Sequence, residues 1–205
     1  MALAPDENPA RPEGEGGRRL LTRMNGGKHA VLSEFGFSHL AVPDDAQALD
    51  IGCGGGANVE RLLARATTGH VWGVDYAPTS VEMAREHNAG AIRTGRCTVE
   101  QGDAADLPFG DNQLDVITAF ETVYFWPDIR AAFAEVRRVL KPGGAFMVCN
   151  EVDGTAPADH EQERTIEGLT MYTIADLEAL LKESGFSQAE SYENPENRNI
   201  AVIAR

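Results

Sequence analysis

The sequence predicts an α/β fold, a doubly wound and mostly parallel sheet with one antiparallel strand near the C-terminus. Three observations predict it. Short apolar runs alternate with helical periodicity from residue 46 to residue 150, the pattern of a parallel sheet covered on both faces. The first run ends in a glycine cluster, Gly52-Cys53-Gly54-Gly55-Gly56. The last two runs, 187–192 and 199–204, are separated only by the polar turn 193–198, a connection that suits antiparallel neighbours.

Residues 1–19 hold Pro5, Pro9, Pro12, Gly14, Gly16 and Gly17 among seven charges, a composition that reads as a flexible tail. Residues 20–205 then form a single domain. Its first part, 20–42, reads as a helical cap or lid, with Val31, Leu32, Phe35 and Leu40 on one face after the Gly26-Gly27 break. Pro43-Asp44-Asp45 makes a turn into the first strand, 47–51. A helix over 57–66 places Val59, Leu62, Leu63 and Ala66 at helical spacing, and a second strand over 71–74 ends at Asp75. Pro78 suits the first turn of the next helix, which carries Val81, Ala84 and Ala91.

The third and fourth strands are 97–101 and 114–119. Pro127 opens a helix with Ile129, Phe133, Val136 and Leu140 on one stripe, and Lys141-Pro142-Gly143-Gly144 stops it before a fifth strand at 145–149. Residues 151–172 are polar and weakly patterned, the natural place for a lid or substrate loop. Thr173 and Asp176 form a capping box for a helix with Ile174, Leu177, Leu180 and Leu181, which Gly185 closes. The two final strands complete the sheet.

Composition narrows the function. The 205 residues carry 18 Lys+Arg against 32 Asp+Glu, a net charge of −14, which opposes binding to nucleic-acid phosphates. Hydrophobic residues at 42% and charged residues at 24% fit a packed globular protein. No run approaches the roughly 20 apolar residues that cross a bilayer, and no apolar signal core opens the chain. Cys53, Cys97 and Cys149 have neither disulfide-framework nor zinc spacing, and His39, His70, His87 and His160 are scattered, so no metal site is expected. The expected location is the reducing cytoplasm.

The glycine cluster lets the backbone turn tightly and lets a ligand approach it. Gly52-x-Gly54-x-x-Ala57 also satisfies a dinucleotide fingerprint, so the turn alone leaves a nicotinamide oxidoreductase, or no ligand at all, open. The acidic residues around it separate these readings. Asp50, inside the strand end, would repel a diphosphate but could bond an ammonium group. Asp75 ends the second strand, where ribose hydroxyls are bound in either ligand class. Asp103, in Gln101-Gly102-Asp103-Ala104, can accept from an adenine amino group. Together they suit a ligand with ribose, adenine and cationic groups and no phosphate.

The ordered segments LDIGCGGG, GVDYAP, QGDAADLPF, LDVITAFETVYFWPD and LKPGGAFMV resemble the motifs of class I S-adenosylmethionine-dependent methyltransferases. The flavour is similar to the small bacterial enzymes of ubiquinone and menaquinone biosynthesis. The resemblance implies a seven-stranded Rossmann-like sheet, S-adenosyl-L-methionine as cofactor and a small-molecule acceptor. It also implies that Asp50, Gly52, Cys53 and Gly54 meet the methionine part, and Asp75 the ribose. Tyr76 would pack beside the adenosine, Asp103 and Ala104 would meet the adenine, and Ala119 would face the sulfonium. Cys53 reads as a small packing residue.

Methyl transfer from a sulfonium mainly requires alignment and exclusion of water, so no catalytic dyad is required. Glu121 and Tyr124, following the fourth strand, are the candidates for the acceptor side, while Phe125 and Trp126 suit packing on the next helix. His29, in a glycine-hinged segment, is the remaining catalytic candidate, able to titrate near neutral pH. A protein methyltransferase and a non-catalytic binder of the same cofactor are the alternative readings.

Overall fold

Each apolar run of the sequence becomes a strand, and each amphipathic segment a helix laid against the sheet. The computed structural model describes Ala4, residues 6–164, Ile166 and residues 168–205. The strands are β1 (Gln47–Ile51), β2 (His70–Asp75), β3 (Cys97–Gln101), β4 (Leu114–Phe120), β5 (Leu140–Asn150), β6 (Ala189–Glu193) and β7 (Ile200–Ala204). The helices are α1 (Gly14–Met24), α2 (Gly27–His39), α3 (Ala57–Arg65), α4 (Pro78–His87), α5 (Ala89–Arg93), α6 (Ile129–Val139) and α7 (Ile174–Glu183).

One seven-stranded sheet runs in the order β3-β2-β1-β4-β5-β7-β6. All neighbours are parallel except β7, which pairs antiparallel with both β5 and β6. The order reverses between β1 and β4, so a crevice opens at the carboxyl ends of these strands, where open α/β sheets bind ligands.

Both faces of the sheet are buried. On one, Phe133 and Val136 of α6 and Leu177 and Leu181 of α7 pack on Ile117, Phe146 and Val202. On the other, Leu32 of α2, Val59 and Leu62 of α3 and Val81 of α4 cover Ala48, Val71 and Met147. The capping box of α7 forms as the sequence predicts, with Thr173 accepting from the Asp176 amide and Asp176 from the Thr173 amide.

Besides the helix expected to carry Val81, Ala84 and Ala91, which divides into α4 and α5, two segments differ from the sequence reading. The expected tail at 1–19 overlaps α1, whose Gly16, Gly17, Leu20 and Leu21 are buried. The glycines that read as disorder serve packing. A Cβ on Gly16 would stand 2.2 Å from the Asp6 carbonyl oxygen, and one on Gly17 2.6 Å from the Pro12 carbonyl carbon. Arg19 pairs with Asp6 at 2.8 Å and Arg23 with Glu7 at 2.7 Å, fastening the preceding residues to the helix. β5, secondly, begins at Leu140 rather than 145 and passes through Gly143 and Gly144 with a register shift against β4. Gly143, at φ +79°, takes the left-handed turn this irregularity needs, and Lys141 holds both oxygens of Asp115 at 2.8 Å.

The stretch 151–172 includes a short 3-10 turn, Asp159–Arg164, and Thr165 and Glu167 lie outside the described residues. Arg198, in the β6–β7 turn, anchors the stretch. Its Nη1 and Nη2 donate to Asp159 at 3.2 and 2.6 Å, its Nε donates to Asp153 at 3.1 Å, and Nη2 also reaches Asp153. Among the described residues, no helix is long and apolar enough to cross a membrane.

Candidate active site

The glycine turn after β1 is built by close approach. Gly52 sits at φ +68°, and a Cβ there would fall 2.2 Å from Thr122 Oγ1, so only glycine fits beside the segment leaving β4. Gly56, at φ +87°, opens α3 against α4, where a Cβ would stand 2.8 Å from Ala84 Cα. The amides of Gly52 and Cys53 donate to the Val74 carbonyl at 2.7 and 3.1 Å, tying the turn to β2. Asp75 completes the tie: its Oδ2 accepts from the Gly54 amide and its Oδ1 from the Ala77 amide, each at 2.9 Å.

These elements surround a cavity of about 350 Å³. It is floored by the ends of four strands, through Ile51 and Gly52, Val74 and Asp75, Gly102 and Asp103, and Phe120 and Glu121. Tyr76 and Ala104 stand on its wall. The loop carrying Asp103 is held from α6, where Arg138 donates to the Phe109 carbonyl at 2.9 Å and Glu135 accepts from the Leu107 amide at 3.1 Å. Pro9, Ala10 and Pro12 close the cavity from the N-terminal side, and Phe125 and Trp126 from the other. A smaller space of about 60 Å³ adjoins, lined by His29, Cys53, Arg61 and Glu121 among others.

Of the sequence-predicted residues, Gly52, Gly54, Asp75, Tyr76, Asp103, Ala104 and Glu121 meet at the large cavity. Asp50 does not line either space. It is 2% exposed and accepts from the Thr118 hydroxyl at 2.7 Å, and burial pushes its carboxyl up to about 7. Cys53 lines only the smaller space, and burial raises its thiol far above the usual range, which fits packing and not nucleophilic attack. Ala119, expected beside the sulfonium, is fully buried in the sheet core and lines neither space; the alternation of β4 turns it away while the residues after the strand reach the cavity.

Tyr124 lines neither space as well. Its hydroxyl donates to Glu121 Oε2 at 2.9 Å, so it acts on the cavity through Glu121. Glu121 itself is held at φ +53°, a conformation non-glycine residues seldom adopt and one that often marks functional turns. Its Oε1 accepts from the Glu151 amide at 2.5 Å. Burial first, and the neighbouring Glu151 charge second, push Glu121 up to about 7. His29 Nδ1 stands 3.3 Å from Glu151 Oε1, and burial holds its imidazole below the usual histidine value. Trp126 packs edge-on against Phe133 of α6 at 5.9 Å, as the expected packing on that helix requires, and it also lines the cavity.

Sequence reasoning missed Pro9, Ala10 and Pro12, because proline and glycine density carries no sign of where a segment docks. It also passed over Thr122 and Glu151. Thr122 had a signal, since it lies within the segment that brought Glu121 to notice.

Comparison with known proteins agrees with the fold. A family model described as a methyltransferase domain matches residues 49–148. A demethylmenaquinone methyltransferase of Staphylococcus aureus is 34% identical over 134 residues, 65% of this chain and 54% of that protein. A sterol methyltransferase-like protein of Botryococcus braunii is 34% identical over 142 residues, 68% of this chain and 36% of that protein. The chain thus spans about half or less of the length of these two relatives. A chain from the complex of the Haloferax volcanii Trm112 methyltransferase activator with a methyltransferase shares the fold at TM-score 0.83 and 20% identity, over 91% of this chain and 93% of that one. A SAM-dependent methyltransferase from Aquifex aeolicus does so at TM-score 0.74 and 18% identity, over 91% and 96%. With the motifs in order, the sheet topology and the glycine turn in agreement, residues 49–148 match a methyltransferase domain, and the chain shares the fold of solved S-adenosylmethionine-dependent methyltransferases.

Proposed function

We propose that the chain transfers the methyl group of S-adenosylmethionine to a small-molecule acceptor held at the Glu121 end of the large cavity. One observation carries this reading. Among the described residues, the cavity is lined by three carboxylates, Asp75, Asp103 and Glu121, and by no lysine, arginine or histidine. A dinucleotide would bring a diphosphate into that field without a countercharge, whereas an adenosine bearing a sulfonium and an ammonium brings positive charge. The residues present therefore fit the donor. Asp75 would hold the ribose hydroxyls, Tyr76 the adenosine face, and Asp103 with Ala104 the adenine; Gly52 and Gly54 leave room for the methionine part.

When bound, S-adenosylmethionine supplies a methyl group already activated on a positive sulfur. The chain's share is to orient and to dry the site. Pro9, Pro12, Leu21, Met24 and Trp126 surround the cavity with apolar surface, which excludes the water that would compete with the acceptor. Glu121, fixed by the Tyr124 hydroxyl and the Glu151 amide, marks the border between the two spaces and orients the acceptor. The cytoplasmic location belongs to the same proposal, supported by Cys53, Cys97 and Cys149 all being free thiols.

Calorimetry tests the donor: S-adenosylmethionine and S-adenosylhomocysteine should bind at micromolar concentrations and NADH should not bind measurably. The reverse order would overturn the assignment. Incubation with methyl-labelled donor and a panel of small acceptors, alongside candidate proteins, tests the acceptor class. Label found only in protein would favour the protein-modifying alternative.

A further inference from the structure

The carboxyl ends of β4 and β5 hold a charge arrangement that binding a methyl donor does not explain. Glu121 follows β4, Glu151 follows β5 and His29 lies in the first turn of α2. One ligand atom from each lies within 4.8 Å of the other two. Glu121 accepts from Tyr124 and from the Glu151 amide, but neither bond brings it a positive charge. Glu151 Oε1 is buried without a hydrogen-bond partner, although His29 Nδ1 stands 3.3 Å away.

Asn150 is 3% exposed and its Oδ1 also lacks a partner. Among the described residues these two oxygens are the only buried side-chain polar atoms left unpaired, and of the two Glu151 Oε1 belongs to the cluster. Folded proteins satisfy such atoms with protein groups, water or an ion. The Lys28 ammonium contacts Glu151 at Oε2, and its side chain is 70% exposed. It is a countercharge that can swing into solvent at little cost.

We infer that His29, Glu121 and Glu151 form a binding site for a divalent transition-metal ion. An imidazole with two carboxylates suits Mn²⁺, Fe²⁺, Co²⁺ or Zn²⁺ better than Mg²⁺ or Ca²⁺, which prefer shells of oxygen alone. The two carboxylates neutralise the ion, and the exposed Lys28 ammonium gives way to it by turning into solvent. Glu121 lines both cavities, so the ion lies where an acceptor enters. An acceptor offering an anionic or carbonyl oxygen is the chemical class that completes its shell. The inference stands on these side chains and does not depend on donor binding.

The full chain, stripped of metal with a chelator and dialysed, is titrated with Mn²⁺ by electron paramagnetic resonance and with Zn²⁺ by calorimetry. One ion per chain should bind saturably at micromolar concentration. His29→Ala and Glu151→Gln should each weaken it by about tenfold or more. Lys28→Gln should tighten it, because the competing ammonium is gone; a purely structural ion pair predicts no such gain. Circular dichroism establishes that each variant is folded, and exposed Lys28 supplies a comparison that the core tolerates. No saturable binding by the unaltered chain, or equal affinity in His29→Ala and Glu151→Gln, overturns the site. S-Adenosylhomocysteine affinity of the metal-free chain, measured in parallel, reports on the methyl-transfer reading separately.

Discussion

At Asp75 both carboxylate oxygens already accept backbone amides, Gly54 N–H and Ala77 N–H, each at 2.9 Å. Burial raises its carboxyl and these two bonds oppose the rise, so the side chain shapes the glycine turn as well as offering itself to a ribose. Removing it in Asp75→Ala should cost at least about tenfold in S-adenosylhomocysteine affinity, since hydrogen bonds to a charged group are each worth about 1.5–3 kcal/mol. Asp75→Asn should fall close to the alanine variant. Its amide oxygen can keep one of the two backbone donors, but its NH₂ faces the other. Unchanged affinity in the alanine variant would place the ribose elsewhere. Gly52 supplies an independent check. Gly52→Ala should destabilise the domain by about 1–3 kcal/mol through its positive φ, with a further loss from the 2.2 Å approach to Thr122. Adding Thr122→Ala should recover only part of the contact loss, because the Cβ it keeps still lies 2.7 Å from the new methyl, and should leave the backbone part, as chemical denaturation of the single and double variants will show.

Among the elements, Arg198 joins the β6–β7 turn to the 151–172 stretch by binding Asp153 and Asp159 together. The Arg198 guanidinium holds the Asp153 carboxyl well below the ordinary aspartate range. A carboxyl lowered by folding contributes stability that is complete above its unfolded pKa, near 3.9, and fades as pH falls through the folded value. Arg198→Met should therefore lower the thermal midpoint at neutral pH, and its gap from the unaltered chain should narrow below about pH 4. A constant gap across that range would mean that the guanidinium acts only through packing. Arg198 also shows the limit of sequence reading. The strands were legible because Gln47–Ile51 is a short apolar run and Cys97–Gln101 alternates apolar Cys97 and Val99 with polar residues, each between turn residues, and the bounds of both agree with the structure. The α7 cap was legible because Thr173 and Asp176 are local partners. The ion pairs of Arg198 join residues 39 and 45 positions apart, and no local pattern announces them. The same holds within the site: Asp75 and Asp103 were legible at strand ends, whereas the burial of Ala119 depended on which way β4 faces.

Across the whole molecule, the N-terminal segment and the net charge act on the same ligand. Pro9, Ala10 and Pro12 wall the cavity although they lie far from the strand ends in sequence, and the segment is fastened to α1 by Arg19–Asp6 and Arg23–Glu7. The sheet core contains none of these residues, since its two halves are assembled from Leu32 onward. Deleting residues 1–13 should therefore weaken S-adenosylhomocysteine binding mainly through faster release, with little change in the denaturant midpoint of the sheet. Association behaves differently. The net charge of −14 attracts a cationic donor over a range that salt screens, about 8 Å at physiological ionic strength, so association of S-adenosylmethionine should slow as salt rises. The deletion removes Asp6, Glu7 and Glu13 along with Arg11, a net charge of −2 out of −14, and should leave that salt dependence nearly intact. Stopped-flow binding at several ionic strengths separates the two effects, because the segment governs release and the charge governs arrival. Equal release rates in the full and shortened chains would mean that Met24 and Trp126 close the cavity without help from the N-terminal residues.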